Sequence, residues 1–152
     1  MTFIRSLLGL LAVLLLSLPA QAQRGQPDFG EAQIEVAYDD GTSGPATVTL
    51  KADTEIEARQ ILLSLTDGDK DHELRLRESG DGTFSARADL PAMRDVRSLR
   101  LGTGEGPGRA FQMPELRAGR NGFTGTREAN GWRVTVVITT SGGTTITITV
   151  SG

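Results

Sequence analysis

Four acidic side chains in one short stretch have the spacing of a calcium-binding loop. When Asp67 is counted as the first position of the segment DGDKDHELRLRE, carboxylates fall at positions one, three, five and twelve. These four residues are Asp67, Asp69, Asp71 and Glu78. An EF-hand loop surrounds Ca²⁺ with oxygen ligands from these positions. The spacing therefore makes the segment a candidate calcium site.

Two features of the same stretch oppose calcium binding. Position six is His72, where an EF-hand loop needs glycine for its sharp turn. The flanking residues also alternate as strands do, whereas an EF-hand loop lies between helices. The alternative interpretation is a polar turn between two strands of a hairpin, and the flanks favour it.

Histidine and cysteine usage excludes several kinds of catalytic and metal site. His72 is the only histidine, and the chain has no cysteine. One imidazole cannot build a multi-histidine zinc or copper site, and a thiolate site is excluded outright. No Gly-x-Ser-x-Gly segment is present to carry a serine nucleophile. We interpret His72 as a solvated turn residue, while a hydrolase that uses two of the many carboxylates stays open as an alternative.

A group of arginines in the second half of the chain is a candidate anion site. Its members are Arg94, Arg97, Arg100, Arg117 and Arg120. They could hold an anionic glycan or a lipid phosphate. Alternatively they are solvated side chains that offset nearby acids, which we favour because surface charges usually contribute little. The adjacent segment GTGEGPG, Gly102–Gly108, lacks the lysine and hydroxyl residue that follow a phosphate-binding loop.

Short β-strands must position all of these residues. Apolar side chains recur at every second position along most of the chain, which is the period of a half-buried strand. Strands are expected near residues 32–38, 46–52, 58–66, 74–76, 83–90, 96–101, 123–128, 132–138 and 144–150. Turn signals separate them, so the sequence predicts an all-β domain: a single antiparallel β-sandwich of 7–9 strands, immunoglobulin-like or transthyretin-like. Only Glu55–Leu65 also has a pattern that a helix could adopt.

The closing segment, Gly131–Gly152, predicts a hairpin in a defined register. A three-residue loop over Ser141–Gly143 places Ile138 opposite Ile146 and keeps the apolar side chains on one face, whereas a two-residue loop would not. The Asn130-Gly131 turn likewise pairs Ala129 with Trp132.

The last strand of that hairpin, Thr144–Val150, has high β propensity and no charge. An exposed edge of this kind would be an aggregation hazard. We therefore expect it to be paired on both sides. The alternative is an open edge that pairs with a strand of a partner protein.

The first residues predict export. One basic residue, an apolar run of 12 residues from Leu7 to Leu18 and the cleavage motif AQA at residues 20–22 indicate a signal peptide over residues 1–22. Residues 23–30 are expected to be a flexible leader, and residues 31–152 the β-sandwich domain. Without Arg5 the mature chain has 15 basic and 19 acidic residues, which does not favour nucleic-acid binding. The protein is expected to be periplasmic or secreted.

One part of the chain is similar to a known family. The segment Gly80–Gly106 has an Asp-Gly-x-Phe motif at Asp81–Phe84, Leu90-Pro91 and a following strand with Leu99 and Leu101. In these residues it resembles the second half of a carboxypeptidase-regulatory-like, immunoglobulin-like β-sandwich module. The resemblance implies a mostly non-catalytic accessory module. The chain lacks the glycine-valine strand with which those modules open.

Taken together, these features predict an exported, non-enzymatic binding or assembly module without a cofactor. Its partner is expected to be another exported or cell-surface protein, or a glycan, met through loops or through the strand Thr144–Val150. A chain that crosses the membrane is not expected. The alternatives are a carboxylate-based periplasmic hydrolase and a calcium-dependent adhesion module.

Overall fold

A computed structural model describes residues 30–53, 56, 58–80, 82–104, 106 and 108–152. The expected signal peptide, all of the expected leader except Gly30, and Asp81 of the motif noted above lie outside the described residues. The described residues form eleven strands and one short 3₁₀ helix. The strands are β1 (Ala32–Tyr38), β2 (Gly44–Ala52), β3 (Gln60–Thr66), β4 (Asp71–Glu78), β5 (Thr83–Leu90), β6 (Ser98–Gly102), β7 (Arg109–Gln112), β8 (Arg117–Ala118), β9 (Gly122–Ala129), β10 (Trp132–Thr139) and β11 (Thr145–Ser151), and the 3₁₀ helix is Met93–Asp95.

The all-β prediction is confirmed, but the two sheets of a sandwich are not formed. All eleven strands belong to one antiparallel sheet in the order β7-β6-β3-β4-β5-β2-β1-β11-β10-β9-β8. The sheet is a curled half-barrel, so its apolar face closes on itself instead of packing on a second sheet. Alternation of apolar residues identifies a buried face in either architecture, which is why the sequence did not distinguish them. The strand number also exceeds the expected 7–9.

Chain connectivity requires the sheet to curl. The two edge strands, β7 and β8, are separated in sequence only by the segment Met113–Leu116. Eleven strands at about 4.8 Å spacing would hold the edges of a flat sheet roughly 48 Å apart. The five steps from Gln112 to Arg117 reach at most about 19 Å at 3.8 Å each. The two edges are therefore brought close together.

The core lies on the inner face of the curled sheet. Alternate residues of β1 are fully buried, including Ile34 and Val36, while Gln33 and Glu35 between them are exposed. The same alternation runs through β2, β3, β10 and β11. Among the described residues no polar or charged side chain is buried. Burial of the apolar stripe is thus the main term that holds the sheet together.

Both predicted hairpin registers are confirmed. Ile138 pairs with Ile146, and Ala129 pairs with Trp132. Gly143 has a φ of 116°, a conformation that glycine adopts without steric cost. The β10–β11 connection is longer than three residues, because β10 ends at Thr139 and the amide of Thr140 donates to the carbonyl of Asn121 at 2.9 Å.

The strand Thr144–Val150 is not an open edge. In the structure it corresponds to β11, which pairs with β1 on one side and with β10 on the other. This confirms the expectation that it is paired on both sides. Its use as an edge for a partner is therefore excluded, and any open edge must lie elsewhere. Residues 60–65 of the possible helix lie in strand β3. Within the described residues, no helix is long and apolar enough to span a bilayer.

Candidate functional site

The connection from β7 to β8 passes from one edge of the sheet to the other. The chain from β7 to β8 starts paired to β6 and ends paired to β9: the amide of Met113 donates to the carbonyl of Arg97 at 2.8 Å, and the amide of Gly119 to the carbonyl of Gly122 at 2.7 Å. In a regular strand, residues of the same parity point to the same side, so the backbone must turn over between Met113 and Arg117. Pro114, which has no amide hydrogen, stands at this turn. We call the space between β7 and the second half of β9, Gly125–Ala129, the fork.

The fork exposes unpaired backbone groups. Strand β8 pairs only with Phe123 and Thr124 of the eight-residue β9. The carbonyl of Gly122 points toward β8, so the amides and carbonyls of Thr126 and Glu128 point to the same side. Within the described part of the chain these groups have no hydrogen-bond partner. By the same parity, Ala110 and Gln112 present the free edge of β7.

The close contact that starts the fork depends on one glycine. A Cβ atom built on Gly125 would lie 2.3 Å from the carbonyl oxygen of Glu115 and 3.2 Å from the side chain of Leu116. Only glycine allows the backbone of the Met113–Leu116 segment to come this close to β9. From Gly125 onward, β9 has no strand partner on this side among the described residues.

Aromatic and arginine side chains connect β7 with β10 and the 3₁₀ helix with the start of β9. The rings of Phe111 on β7 and Trp132 on β10 meet in a T-shaped contact, with centroids 5.3 Å apart. The guanidinium of Arg109 lies 4.4 Å from the centroid of Trp132, and that of Arg94 lies 5.8 Å from the centroid of Phe123. Such cation–π contacts contribute about 0.5–1 kcal/mol each at exposed sites. Side chains therefore hold β7 near β10, whereas the backbone edges of β7 and of Gly125–Ala129 stay free.

A cleft of about 990 Å³ opens beside the fork. Three of its lining residues are arginines from two elements: Arg94 and Arg97 from the β5–β6 connection and Arg127 from β9. The side chains of Met93 and Val96 are buried and anchor that connection. The residue that follows each of them, Arg94 and Arg97 respectively, is exposed. Within the described residues, none of the three guanidinium groups forms an ion pair or a hydrogen bond.

Acidic residues also line the cleft. They are Asp67, Asp69, Asp95 and Glu115. One carboxylate oxygen of Asp67 accepts hydrogen bonds from the amides of Lys70 and Asp69 at 2.9 and 3.0 Å, and the other lies 3.2 Å from Nε2 of His72. The bonds from Lys70 and Asp69, followed by that to His72, lower the pKa of Asp67 to about 2. Asp67 is thus held as an ionised turn residue.

The four candidate calcium ligands do not come together around one point. Asp67 and Asp69 lie in the β3–β4 turn, and Asp71 begins β4, where its carboxylate accepts a hydrogen bond from the hydroxyl of Thr66 at 2.7 Å. Glu78 is at the opposite end of β4, where it pairs with Phe84. Among the described residues no three acidic or histidine side chains are grouped so that they could hold a metal ion. The polar hairpin turn favoured by the flanking residues is what the structure shows here, and calcium binding stays the alternative hypothesis.

Of the five candidate arginines, the structure brings two into the cleft. Arg94 and Arg97 line it. Arg100 is exposed on β6 opposite Ser64 and lines a separate trough of about 330 Å³ under the glycine-rich loop. Arg117 and Arg120 are exposed on β8 and in the turn that follows it. The predicted group is therefore split among separate surfaces.

Sequence reasoning missed Arg127 and the free edge. The confirmed register of the Asn130-Gly131 hairpin already places Arg127 opposite Val134, on the core face of the sheet. A charged residue at such a position is the one signal in the sequence that could have marked this strand as an edge.

No known protein family, curated protein or solved structure shows significant similarity to this chain.

Proposed function

We propose that the protein is an exported, non-enzymatic binding module that pairs with an extended strand of a partner protein along the free edge of β9. In this mode of recognition, backbone hydrogen bonds between the edge and the added strand supply affinity. The partner is another exported or cell-surface protein, which follows from the expected signal peptide.

The observation that carries this proposal is the unpaired half of β9. Thr126 and Glu128 each present a free amide and a free carbonyl at the fork, on a strand that is firmly paired to β10 on its other side. Natural proteins usually cover or blunt such an edge. A free edge beside a cleft of about 990 Å³ is suited to receive a strand and its side chains.

The pKa of Asp67 does not support a role for this residue as a general acid. A carboxylate that acts as a general acid needs a raised pKa. In Asp67, hydrogen bonds shift the pKa in the opposite direction, to about 2. The partial resemblance to carboxypeptidase-regulatory-like modules agrees with a non-catalytic role as well.

Site-specific photo-cross-linking in the cells that produce the protein tests this function. A photoreactive side chain is placed at Glu128 or Gln112, on the free edges, and as a control at Thr49, on the central strand β2. We expect a discrete cross-linked adduct from the fork positions and none from Thr49, with mass spectrometry identifying the partner.

The variant Thr126→Pro then tests the backbone pairing. Proline removes the amide donor at a position where no strand of this chain needs it, so the fold should be retained. Loss of the adduct in folded Thr126→Pro supports strand pairing. An adduct that persists unchanged, or the absence of any adduct at the fork, contradicts the proposal.

A further inference from the structure

Arg127 projects a charge from the core face of an edge strand. Residues directly opposite each other on antiparallel strands share a face, and Arg127 is opposite Val134, which is 4% exposed. The next residue on this face, Gly125, has no side chain. As a result the guanidinium of Arg127 reaches into the cleft, where Arg94 and Arg97 also lie.

An inward charge on an edge strand discriminates among incoming strands. It disfavours an apolar or a basic residue at the adjacent position, because either would leave the guanidinium desolvated without a partner or face it with a like charge. A carboxylate at that position would instead accept two parallel hydrogen bonds from the guanidinium. Arg127 thus allows one kind of strand and opposes the others.

We propose that the partner strand is acidic, an inference that rests on the proposed strand pairing. An aspartate or glutamate side chain of that strand lies opposite Arg127 and faces the cleft. A residue paired directly with Arg127 would have its Cβ about 4.5–5.5 Å from that of Arg127, within reach of a carboxylate–guanidinium bond. Because side chains alternate, the second residue on either side faces the cleft as well, where Arg94 and Arg97 add positive charge.

The acidic residues that line the cleft do not form ion pairs with its three arginines. Asp67 is held in its turn by the backbone amides of Asp69 and Lys70. Within the described residues, no carboxylate lies within 4.0 Å of a guanidinium nitrogen of Arg94, Arg97 or Arg127. The donors of all three arginines are therefore available to an incoming carboxylate.

Two synthetic peptides test the inference on the full mature chain. One alternates valine with glutamate, and the other alternates valine with lysine at the same positions, both with blocked ends. Binding is measured by titration into isotope-labelled protein followed by amide NMR. We expect the glutamate peptide to shift the amide signals of Thr126 and Glu128 and to bind at least about tenfold more tightly than the lysine peptide, the factor typical of one charge-assisted hydrogen bond.

Matched variants separate the two contributions. Arg127→Gln should weaken binding of the glutamate peptide roughly tenfold, whereas Arg75→Gln, which removes the same charge from an exposed position on β4, should not. Raised salt should weaken binding of the glutamate peptide to the native chain more than to Arg127→Gln. Inorganic phosphate is titrated in parallel, and competition by phosphate at millimolar concentration would indicate a site for a free anion and overturn the acidic strand.

The outcomes distinguish this inference from the function on which it rests. If both peptides bind equally and Thr126→Pro abolishes both, the edge is used but the acidic preference is wrong. If the glutamate peptide depends on Arg127 but not on the amide of Thr126, the arginine site is present and strand pairing is wrong. If neither peptide binds, the proposal of an acidic partner strand is wrong. The cross-linking at Glu128 then tests strand pairing by itself.

Discussion

Phe111 and Trp132 meet edge to face across the fork, with ring centroids 5.3 Å apart and planes inclined by 69°. Phe111 belongs to β7, one edge strand of the sheet, and Trp132 belongs to β10, the third strand from the opposite edge. The contact therefore connects two parts of the sheet that no backbone ladder joins. We expect the curl of the sheet to depend on it.

A double-mutant cycle measures this contact. Phe111→Leu, Trp132→Leu and the double variant are unfolded with urea. Unfolding is followed by circular dichroism instead of tryptophan fluorescence, because Trp132→Leu removes the only tryptophan. We expect a coupling energy of about 0.5–1.5 kcal/mol, the range for an aromatic pair. Phe84→Leu, at a buried site on β5, combined with Trp132→Leu should show no coupling. Strictly additive losses for Phe111 and Trp132 would show that the contact does not stabilise the curl.

Gly125 controls how closely the Met113–Leu116 segment approaches β9. In Gly125→Ala the new methyl group would lie 2.3 Å from the carbonyl oxygen of Glu115, so the segment or the strand must move. We expect a loss of about 1–3 kcal/mol in the free energy of unfolding, the usual cost of overpacking. Gly119→Ala is the control, because its methyl group would meet only the carbonyl oxygen of Gly122 at 3.8 Å. Equal stability of the two variants in urea would contradict the close contact.

Proline substitutions distinguish the free edge from the centre of the sheet. Thr126→Pro should change stability by less than about 1 kcal/mol, because its amide faces the open fork. Thr147→Pro on β11 should cost at least about 2 kcal/mol, because it removes a ladder bond and leaves the partner carbonyl unsatisfied. Thr147→Lys should fold, since its side chain would lie on the outer face opposite Glu35. Thermal melts of the three variants provide the comparison, and equal loss in both proline variants would show that β9 is paired.

Asp67 makes stability depend on pH in acid. Hydrogen bonds from Lys70 and Asp69 lower its pKa to about 2 in the folded chain, below the ordinary value of 3.8. Its contribution is present above pH 4 and is lost as the pH falls from about 4 to about 2, because the unfolded state takes up the proton first. The melting temperature of Asp67→Asn should therefore approach that of the native chain over this interval. A constant difference from pH 6 to pH 2 would contradict the assignment.

Calcium is expected to leave the melting temperature unchanged. Both carboxylate oxygens of Asp67 are engaged by groups of the same turn and of β4, and Glu78 lies at the far end of that strand. Calorimetry with millimolar calcium should show no saturable heat. A saturable signal that disappears in Asp67→Asn combined with Asp69→Asn would instead establish the calcium site.

Local registers in this fold were predictable from the sequence because they depend on near neighbours. The alternation of Ile146, Ile148 and Val150, together with a glycine turn, admits only one pairing with β10 that keeps apolar side chains on one face. The same reasoning places Ala129 opposite Trp132. In both cases the turn residues and the strand pattern lie within one short segment.

The edge strands were not predictable for the opposite reason. Strands β7 and β8 have four and two residues, and the chain between them turns over at Pro114, so no alternation persists long enough to detect. Whether Thr126 has a free amide depends on where Arg117 pairs and on the approach of Glu115 to Gly125. Those are long-range contacts, and the candidate site consists almost entirely of them.

The pairing of β1 with β11 has a consequence for the order of folding. Ala32 lies beside Val150, so the first strand of the domain acquires one of its two neighbours only when the last residues of the chain have been synthesised. Contacts this distant in sequence slow folding, because the intervening chain must be closed into a loop before they can form. A chain without β11 cannot complete the sheet, because β1 and β10 would each lose the neighbour that pairs with them on that side.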